Sequence, residues 1–190
     1  MMNKVLCSLL LFLSISCGLQ GRNANYARDS KRIWLDSKEI HHGEYVWKMK
    51  KAGDVISSAE KVSTLGYDTS DWLSAIVPGT VLNSLVYNKE YPEPYYGVNN
   101  KLESGKIPDI SKVGREFYTY WFRTEFDVPE SFAGKTIWLQ PDGVNYRAEI
   151  WVNGNLLSTL NGMFISDYIN VTDFVKVGRK NILAVKVYPV

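Results

Sequence analysis

Residues 143–164, GVNYRAEIWVNGNLLSTLNGMF, decide the fold predicted for this chain. Residues 147–152 alternate between the two faces of an extended segment, and one face carries Ala148, Ile150 and Val152. This pattern is typical of a half-buried β-strand. Asn153 and Gly154 then form the dipeptide that best tolerates positive φ at both central positions of a tight turn. The sequence therefore predicts a β-hairpin whose second strand covers residues 155–160.

Further strands are predicted on both sides of this hairpin. Residues 117–128 alternate in the same way, and Pro129 ends the run because proline cannot donate to a strand ladder. Thr80 is positioned as the N-cap of one short helix over residues 81–87. Short strands are also predicted at residues 44–50, 134–140, 165–171 and 182–188. Many short strands with hardly any helix predict an all-β fold, a β-sandwich.

The composition excludes several classes of function. The chain has 190 residues and a net charge of +2 without a basic run, so nothing favours binding to nucleic acid. His41 and His42 are adjacent, and neighbours on a strand point to opposite faces, so they cannot easily share a metal ion. No phosphate-cradling glycine loop or nucleophile elbow is present. The sequence predicts neither a metal site nor a cofactor.

The N-terminus has the character of an export signal. Residues 1–17 are predicted to be a signal peptide, because Lys4 precedes an apolar stretch that ends in small residues. Cys17 resembles the lipid-modified cysteine of a bacterial lipoprotein, although Ser14 stands where that pattern has leucine. Lipidation of Cys17 and plain cleavage nearby remain alternatives. The chain is therefore expected to be periplasmic, a cell-surface lipoprotein or secreted, and to meet a membrane only through a lipid anchor.

Residues 18–32 are polar and are predicted to be a tether, followed by a sandwich over residues 33–190. Six motifs then follow in a fixed order: VPGTVL at 77–82, PYYGVNN at 94–100, YWFRTEFDVP at 120–129, GVNYRAEIWVNG at 143–154, GMF at 162–164 and LAVKV at 183–187. This ordered set resembles the N-terminal sugar-binding domain of glycoside hydrolase family 2, in particular its β-mannosidase and exo-β-glucosaminidase branch. The resemblance implies a jelly-roll β-sandwich of the galactose-binding-like type.

The resemblance also implies what this chain lacks. In that family an immunoglobulin-like domain and a TIM barrel follow, and the two catalytic glutamates lie on the barrel. The chain therefore looks like an N-terminal fragment without catalytic residues, whose partners are those following domains and a terminal β-linked sugar. First-domain loops reach the sugar pocket in that family, which makes Tyr96, Asn99 and Asn100 the candidate substrate-binding residues. The asparagines equally suit a turn.

Two functions from different classes follow. The first is a non-catalytic bracing domain of an exported family 2 β-glycosidase that hydrolyses terminal β-mannosides or β-glucosaminides. The alternative is a stand-alone carbohydrate-binding surface lipoprotein, with Trp138 and Trp151 as outward stacking rings. A gene remnant that folds poorly is the third interpretation. If the sandwich is incomplete at its C-terminus, residues 182–188 are expected to form an exposed edge strand.

The carboxylates of the longest strand have a structural interpretation. Glu125 and Asp127 share one strand face with Arg123, and a glycosidase would need two carboxylates facing each other across a bond. A solvated sheet face with cross-strand ion pairing explains the same residues more simply.

Overall fold

The computed structural model describes the backbone of residues 12–18 and all atoms of residues 32–38, 43–163 and 165–190. In these ranges the strands are β1 (Phe12–Gly18), β2 (Arg32–Trp34), β3 (Trp47–Lys51), β4 (Leu73–Ser74), β5 (Tyr120–Asp127), β6 (Thr136–Gly143), β7 (Arg147–Val152), β8 (Asn155–Asn161), β9 (Ile169–Asn170) and β10 (Lys180–Tyr188). The helices are α1 (Ala59–Val62), α2 (Val81–Tyr87) and α3 (Ile110–Val113). None of these helices is long and apolar enough to cross a membrane.

The strands form two antiparallel sheets with a shared core. The smaller sheet has the strand order β2-β1-β6-β9, and the larger has the order β4-β3-β5-β10-β7-β8. The core joins Ile137 and Leu139 of the smaller sheet to Trp47, Phe122 and Val185 of the larger one. Two antiparallel layers over one core confirm the predicted all-β sandwich.

The β-hairpin predicted around Asn153 and Gly154 is confirmed as the pair β7 and β8. Asn153 has φ 48° and Gly154 has φ 88°, so both central residues of the turn occupy the left-handed region. Ala148, Ile150 and Val152 are buried, as the alternation predicted. The predicted helix over residues 81–87 is confirmed as α2, and the Thr80 hydroxyl accepts a hydrogen bond from the Asn83 amide at 2.8 Å.

The expectation of an exposed C-terminal edge is wrong. β10 lies between β5 and β7 and pairs with both along most of its length. Val185, for example, lies opposite Phe122 on one side and opposite Ile150 on the other. β5 and β7 flank this last strand on its two sides, so its backbone groups form hydrogen bonds with both neighbours.

Three predicted strands are shorter in the structure. The segment predicted as 44–50 pairs as β3 only from Trp47 to Lys51. The segment predicted as 117–128 begins its pairing at Tyr120, because residues Arg115–Tyr118 form a 3-10 turn. The segment predicted as 165–171 pairs only at Ile169–Asn170. The Thr172 hydroxyl accepts a hydrogen bond from the Ile137 amide at 2.9 Å, and this side-chain bond follows the last ladder pair.

The predicted leader and tether fall largely outside the described residues. Where the N-terminal segment is described, Phe12–Gly18 is β1, and its backbone pairs antiparallel with both β2 and β6. β1 thus takes a central position in the smaller sheet. The signal peptide and the modification of Cys17 stay predictions.

A segment between β3 and β4 covers the outer face of the larger sheet. In this covering segment, residues 52–72, the side chains of Val62 and Trp72 pack against Trp121, Trp151 and Ala184 in a second, smaller core. Trp121 is 4% exposed and Trp151 is 8% exposed. The segment therefore combines α1 with a packed apolar underside.

Candidate functional site

Several loops leave the sandwich at one end. β5 starts at this end with Tyr120, which pairs with Val187 near the end of β10. Arg147 starts β7 there and pairs with Asn161 at the end of β8. The long loop between α2 and β5 (residues 88–119), the β6–β7 turn and the β8–β9 loop therefore leave the sandwich together. The candidate substrate-binding residues lie on the long loop.

The long loop is ordered by Asn99. Its side-chain amide donates to the Glu93 carbonyl at 2.9 Å, and its side-chain oxygen accepts from the Lys106 ammonium at 2.9 Å. Its backbone carbonyl accepts from the Ser104 hydroxyl at 3.1 Å. Asn99 is 7% exposed, so its amide holds the loop together from inside.

The loop turns the other two candidate residues outward. Asn100 is exposed, and Tyr96 has 77% of its surface exposed beside Tyr95 at 80%. Val98 and Leu102 are also about half exposed, at 50% and 51%. These side chains define the 95–102 surface. Asn99 therefore has a structural role, whereas Tyr96 and Asn100 point outward. Contact with a sugar stays a prediction for all three residues.

Partly buried tyrosines anchor the base of this loop. The Tyr118 hydroxyl donates to the Pro108 carbonyl, and Tyr91 packs against the main core nearby. Burial raises the pKa of Tyr118 well above its ordinary value, and the neighbouring Tyr91 adds to this shift. Burial also raises the pKa of Tyr120 to about 12. These hydroxyls are therefore neutral hydrogen-bonding groups at physiological pH.

The charged residues of β5 lie at the opposite end. A shallow cleft of about 370 Å³ there includes Glu125, Asp127 and Lys180 among its walls. Glu125 lies 3.3 Å from the Lys180 ammonium and 3.8 Å from the Arg123 guanidinium. The predicted cross-strand ion pairing is confirmed for Glu125.

Arg123 has a role that the sequence did not indicate. It is 4% exposed, and its guanidinium donates to the carbonyls of Val62 and Thr64, each at 3.0 Å. The side chain thus fixes the covering segment to the sheet. A charged residue on an alternating strand gives no signal of such burial, because its partners are backbone carbonyls far away in sequence.

Within the described residues, no group of three or more metal-binding side chains is brought together. His41 and His42 lie outside those residues. The structure also separates the two tryptophans predicted as one stacking face. Trp151 is buried beneath the covering segment, whereas Trp138 lies on the smaller sheet and is partly exposed. Trp151 therefore cannot stack on a sugar.

Comparison with known proteins identifies the domain type. Residues 47–190 match the family described as glycosyl hydrolase 2 galactose-binding domain-like. A mannosylglycoprotein endo-beta-mannosidase of Lilium longiflorum is 40% identical over 121 residues, which cover 64% of this chain and 12% of that protein. An exo-beta-D-glucosaminidase of Amycolatopsis orientalis is 29% identical over 137 residues, which cover 70% of this chain and 12% of that protein.

A solved structure supports the same assignment. The exo-chitosanase CsxA of Amycolatopsis orientalis, in complex with PNP-beta-D-glucosamine, aligns with a TM-score of 0.63 and 26% identity. The alignment covers 76% of this chain and 16% of that one. The chain thus spans only a small part of the length of these relatives. Since the family match includes β3 to β10 and the whole long loop, the chain belongs to the glycosyl hydrolase family 2 galactose-binding domain-like family.

Proposed function

We propose that this chain is the non-catalytic N-terminal domain of a larger exported β-glycosidase. Two of its matched relatives are an endo-β-mannosidase and an exo-β-glucosaminidase, of which it spans 12% each. The whole enzyme would hydrolyse terminal β-mannosides or β-glucosaminides. The domain itself would brace the catalytic domain and shape the entrance to the sugar pocket.

The 95–102 surface is the observation that carries this proposal. Tyr95 and Tyr96 are large aromatic side chains that an ordered loop holds in an exposed position. Met163, Ile165 and Tyr168, on another loop at the same end, are also exposed. Aromatic residues and methionine are enriched at protein interfaces, and exposed apolar patches of this kind mark interaction sites. The loop end is therefore proposed to face the catalytic domain.

Within this proposal Asn99 and its exposed neighbours have different tasks. Asn99 keeps the loop in one conformation through its bonds to Glu93 and Lys106. Tyr96 and Asn100 are free to contact the catalytic domain or the terminal sugar. A loop that is ordered before it meets its partner loses less conformational entropy on docking.

The first test is to determine the DNA sequence at this locus beyond the codon for Val190. An open frame that encodes a barrel with two suitably placed glutamates would support the proposal. In the enzyme encoded by that frame, Tyr96→Ala should lower kcat/KM for an aryl β-mannoside or β-glucosaminide about tenfold, as expected for loss of an aromatic interface anchor. Ile56→Ala, at a fully exposed position of the covering segment, is the matched control.

Two results would contradict the proposal. One is turnover of either aryl glycoside by the purified 190-residue chain, which would place catalysis in this domain. The other is a Tyr96→Ala enzyme with the kinetic constants of the wild type.

We also propose that the chain is exported with a lipid on Cys17. The proposal rests on the sequence of the leader, in which an apolar stretch follows Lys4 and Gly18 follows the cysteine. Metabolic labelling with an alkyne-tagged fatty acid should mark the wild-type protein and leave Cys17→Ser unlabelled. An exported, unlabelled wild-type protein would support plain cleavage instead.

A further inference from the structure

The two edges of the larger sheet are protected to different degrees. At one edge lies β4, which is only two residues long. The Asn88 side-chain oxygen accepts from the Ser74 amide of β4 at 3.3 Å, and the Asn88 side-chain nitrogen donates to the Ser74 carbonyl at 2.8 Å. Both main-chain groups of Ser74 are thus occupied, so this edge offers little to a further strand.

The opposite edge is β8, and it has no such cover. β8 is seven residues long, and β7 is its only neighbour among the described strands. Within the described ranges, no group outside β7 forms a hydrogen bond with the main chain of residues 155–161. Since antiparallel strands direct their peptide groups to alternate sides, every second residue of β8 turns an N–H and a C=O away from β7. These groups form an open row along the edge.

The sequence of β8 lacks the residues that usually protect an edge strand. It is NLLSTLN, without a charged residue and without proline. Lysine, proline and bulges are the common means by which proteins prevent two edges from pairing. β8 has one of these, a bulge at Leu157, where the register with β7 shifts. Residues 158–161 beyond the bulge form a regular, neutral strand.

Charged side chains on the neighbouring strand are compensated within the same copy of the chain. Glu149 of β7 lies opposite Thr159. The Glu149 carboxylate accepts from the Tyr188 hydroxyl at 2.5 Å and lies 3.4 Å from the Arg147 guanidinium. In a pair of copies related by a two-fold axis, a charge at the axis would face the same charge of the other copy. The neutral edge of β8 avoids this repulsion, so it fits a second copy of itself.

We propose that β8 is a self-association edge at which two copies of this chain pair antiparallel about a two-fold axis beside Thr159. In this register Thr159 faces Thr159 of the second copy, and Ser158 faces Leu160 of the second copy. Threonine pairs across neighbouring strands are favourable. Because Asn88 occupies the β4 edge, the assembly closes at two copies. β7, β8 and β10 lie within residues 147–188, so removal of a leader leaves this edge unchanged.

The length of the edge sets the strength of this association. A short strand pair covers less than the roughly 1,000 Å² that a stable protein interface buries. The dimer is therefore expected to be weak and reversible, with a Kd on the order of 100 μM.

The test is sedimentation equilibrium of the purified chain from about 10 μM to about 1 mM, where a monomer and a dimer are expected. Thr159→Lys and Thr159→Glu each place like charges opposite one another at the axis and should raise the Kd at least about tenfold. An equimolar mixture of the two variants should associate again, because opposite charges then meet. Tyr87→Lys adds the same charge at a 47% exposed position of α2, beside the occupied edge, and should leave the Kd unchanged.

Thermal unfolding of each variant separates loss of association from loss of the fold. The proposal is overturned if the wild-type chain is monomeric over the whole range, if Thr159→Lys associates like the wild type, or if the mixture of charged variants stays monomeric. Species larger than a dimer would equally contradict closure at two copies. These outcomes do not depend on the kinetics of any longer enzyme, so the proposed function is tested separately.

Discussion

At the scale of single residues, the buried side-chain amide of Asn181 holds the turn before β10 in place. Its side-chain oxygen accepts from the Lys176 amide at 2.7 Å and from the Asn153 side chain at 2.8 Å. Its nitrogen donates to the carbonyls of Lys176 and Arg179 at 2.9 and 2.8 Å. The residue is fully buried, and without it the Lys176 amide and the carbonyls of Lys176 and Arg179 would lose these hydrogen bonds.

Asn181→Ala should therefore lower the free energy of unfolding by about 3 kcal/mol, because the hydrogen bonds that its buried side chain makes are lost together. Urea unfolding monitored by tryptophan fluorescence measures the change. Asn161→Ala, at an exposed position of β8, serves as the control and should change stability by less than about 0.5 kcal/mol. A loss below about 1 kcal/mol for Asn181→Ala would show that water replaces the network.

The raised pKa of the Tyr118 hydroxyl predicts a pH dependence of stability. Its pKa is raised in the folded state, chiefly by burial, above the value near 10 of an unfolded chain. The unfolded state therefore loses this proton first, so the stabilisation is complete below about pH 10 and declines as pH rises beyond it. Tyr118→Phe should weaken this decline in melting temperature between pH 9 and about 11. Tyr95→Phe removes an exposed hydroxyl and is the control; an unchanged slope for Tyr118→Phe would contradict the assignment.

At the scale of elements, the packing of the covering segment on the larger sheet could not be predicted from the sequence. The hairpin was predictable because its signal is local: alternation over six residues and an Asn-Gly turn. The covering segment is polar and rich in glycine and serine, and its few apolar residues follow no period. Its fold depends on distant partners, such as the Arg123 guanidinium that binds the Val62 carbonyl at 3.0 Å. The periodicity of a sequence does not reveal such contacts. For the same reason, the alternation of β7 predicted wrongly that the Trp151 ring points to solvent.

Trp72→Ala tests whether this element is part of the stable fold. Trp72 is 4% exposed and packs edge-on against Tyr67 in the second core, with ring centroids 5.9 Å apart. Its truncation should cost about 3–5 kcal/mol, as for other buried aromatic residues. Leu65→Ala, in the same segment but 63% exposed, should cost less than about 0.5 kcal/mol. Equal effects of the two substitutions on the unfolding midpoint would mean that the segment is only loosely attached.

At the scale of the whole molecule, the two sheets depend on the N-terminus to different degrees. The larger sheet is built entirely from residues 47–188. The smaller sheet has β1 at its centre, and without it β6 would keep only its two residue pairs with β9. The family resemblance could predict the sandwich and the loop that carries Tyr96. It could not predict this arrangement, because the residues of β1 have the sequence of a leader.

A chain that starts at residue 19 tests the contribution of β1. If Phe12–Gly18 belongs to the sandwich of the 190-residue chain, its removal should lower the melting temperature by several degrees, because β2 and β6 both lose their ladder partner. Calorimetry on both chains in the same buffer gives the comparison. Identical melting temperatures would show that β1 adds nothing to stability and would favour its role as a leader.

The Asn153–Gly154 turn finally determines how this protein ages chemically. In a flexible chain, the amide nitrogen of a glycine attacks the preceding asparagine side chain, and ammonia leaves as a succinimide forms. Here the Asn153 amide donates to Phe174 and Asn181, its oxygen accepts from Ile182, and the Gly154 amide donates to the Ser63 carbonyl. Both reacting groups are held, so deamidation must wait until the hairpin end opens. The amount of aspartate and isoaspartate at position 153 is therefore a cumulative record of local unfolding during the lifetime of the molecule.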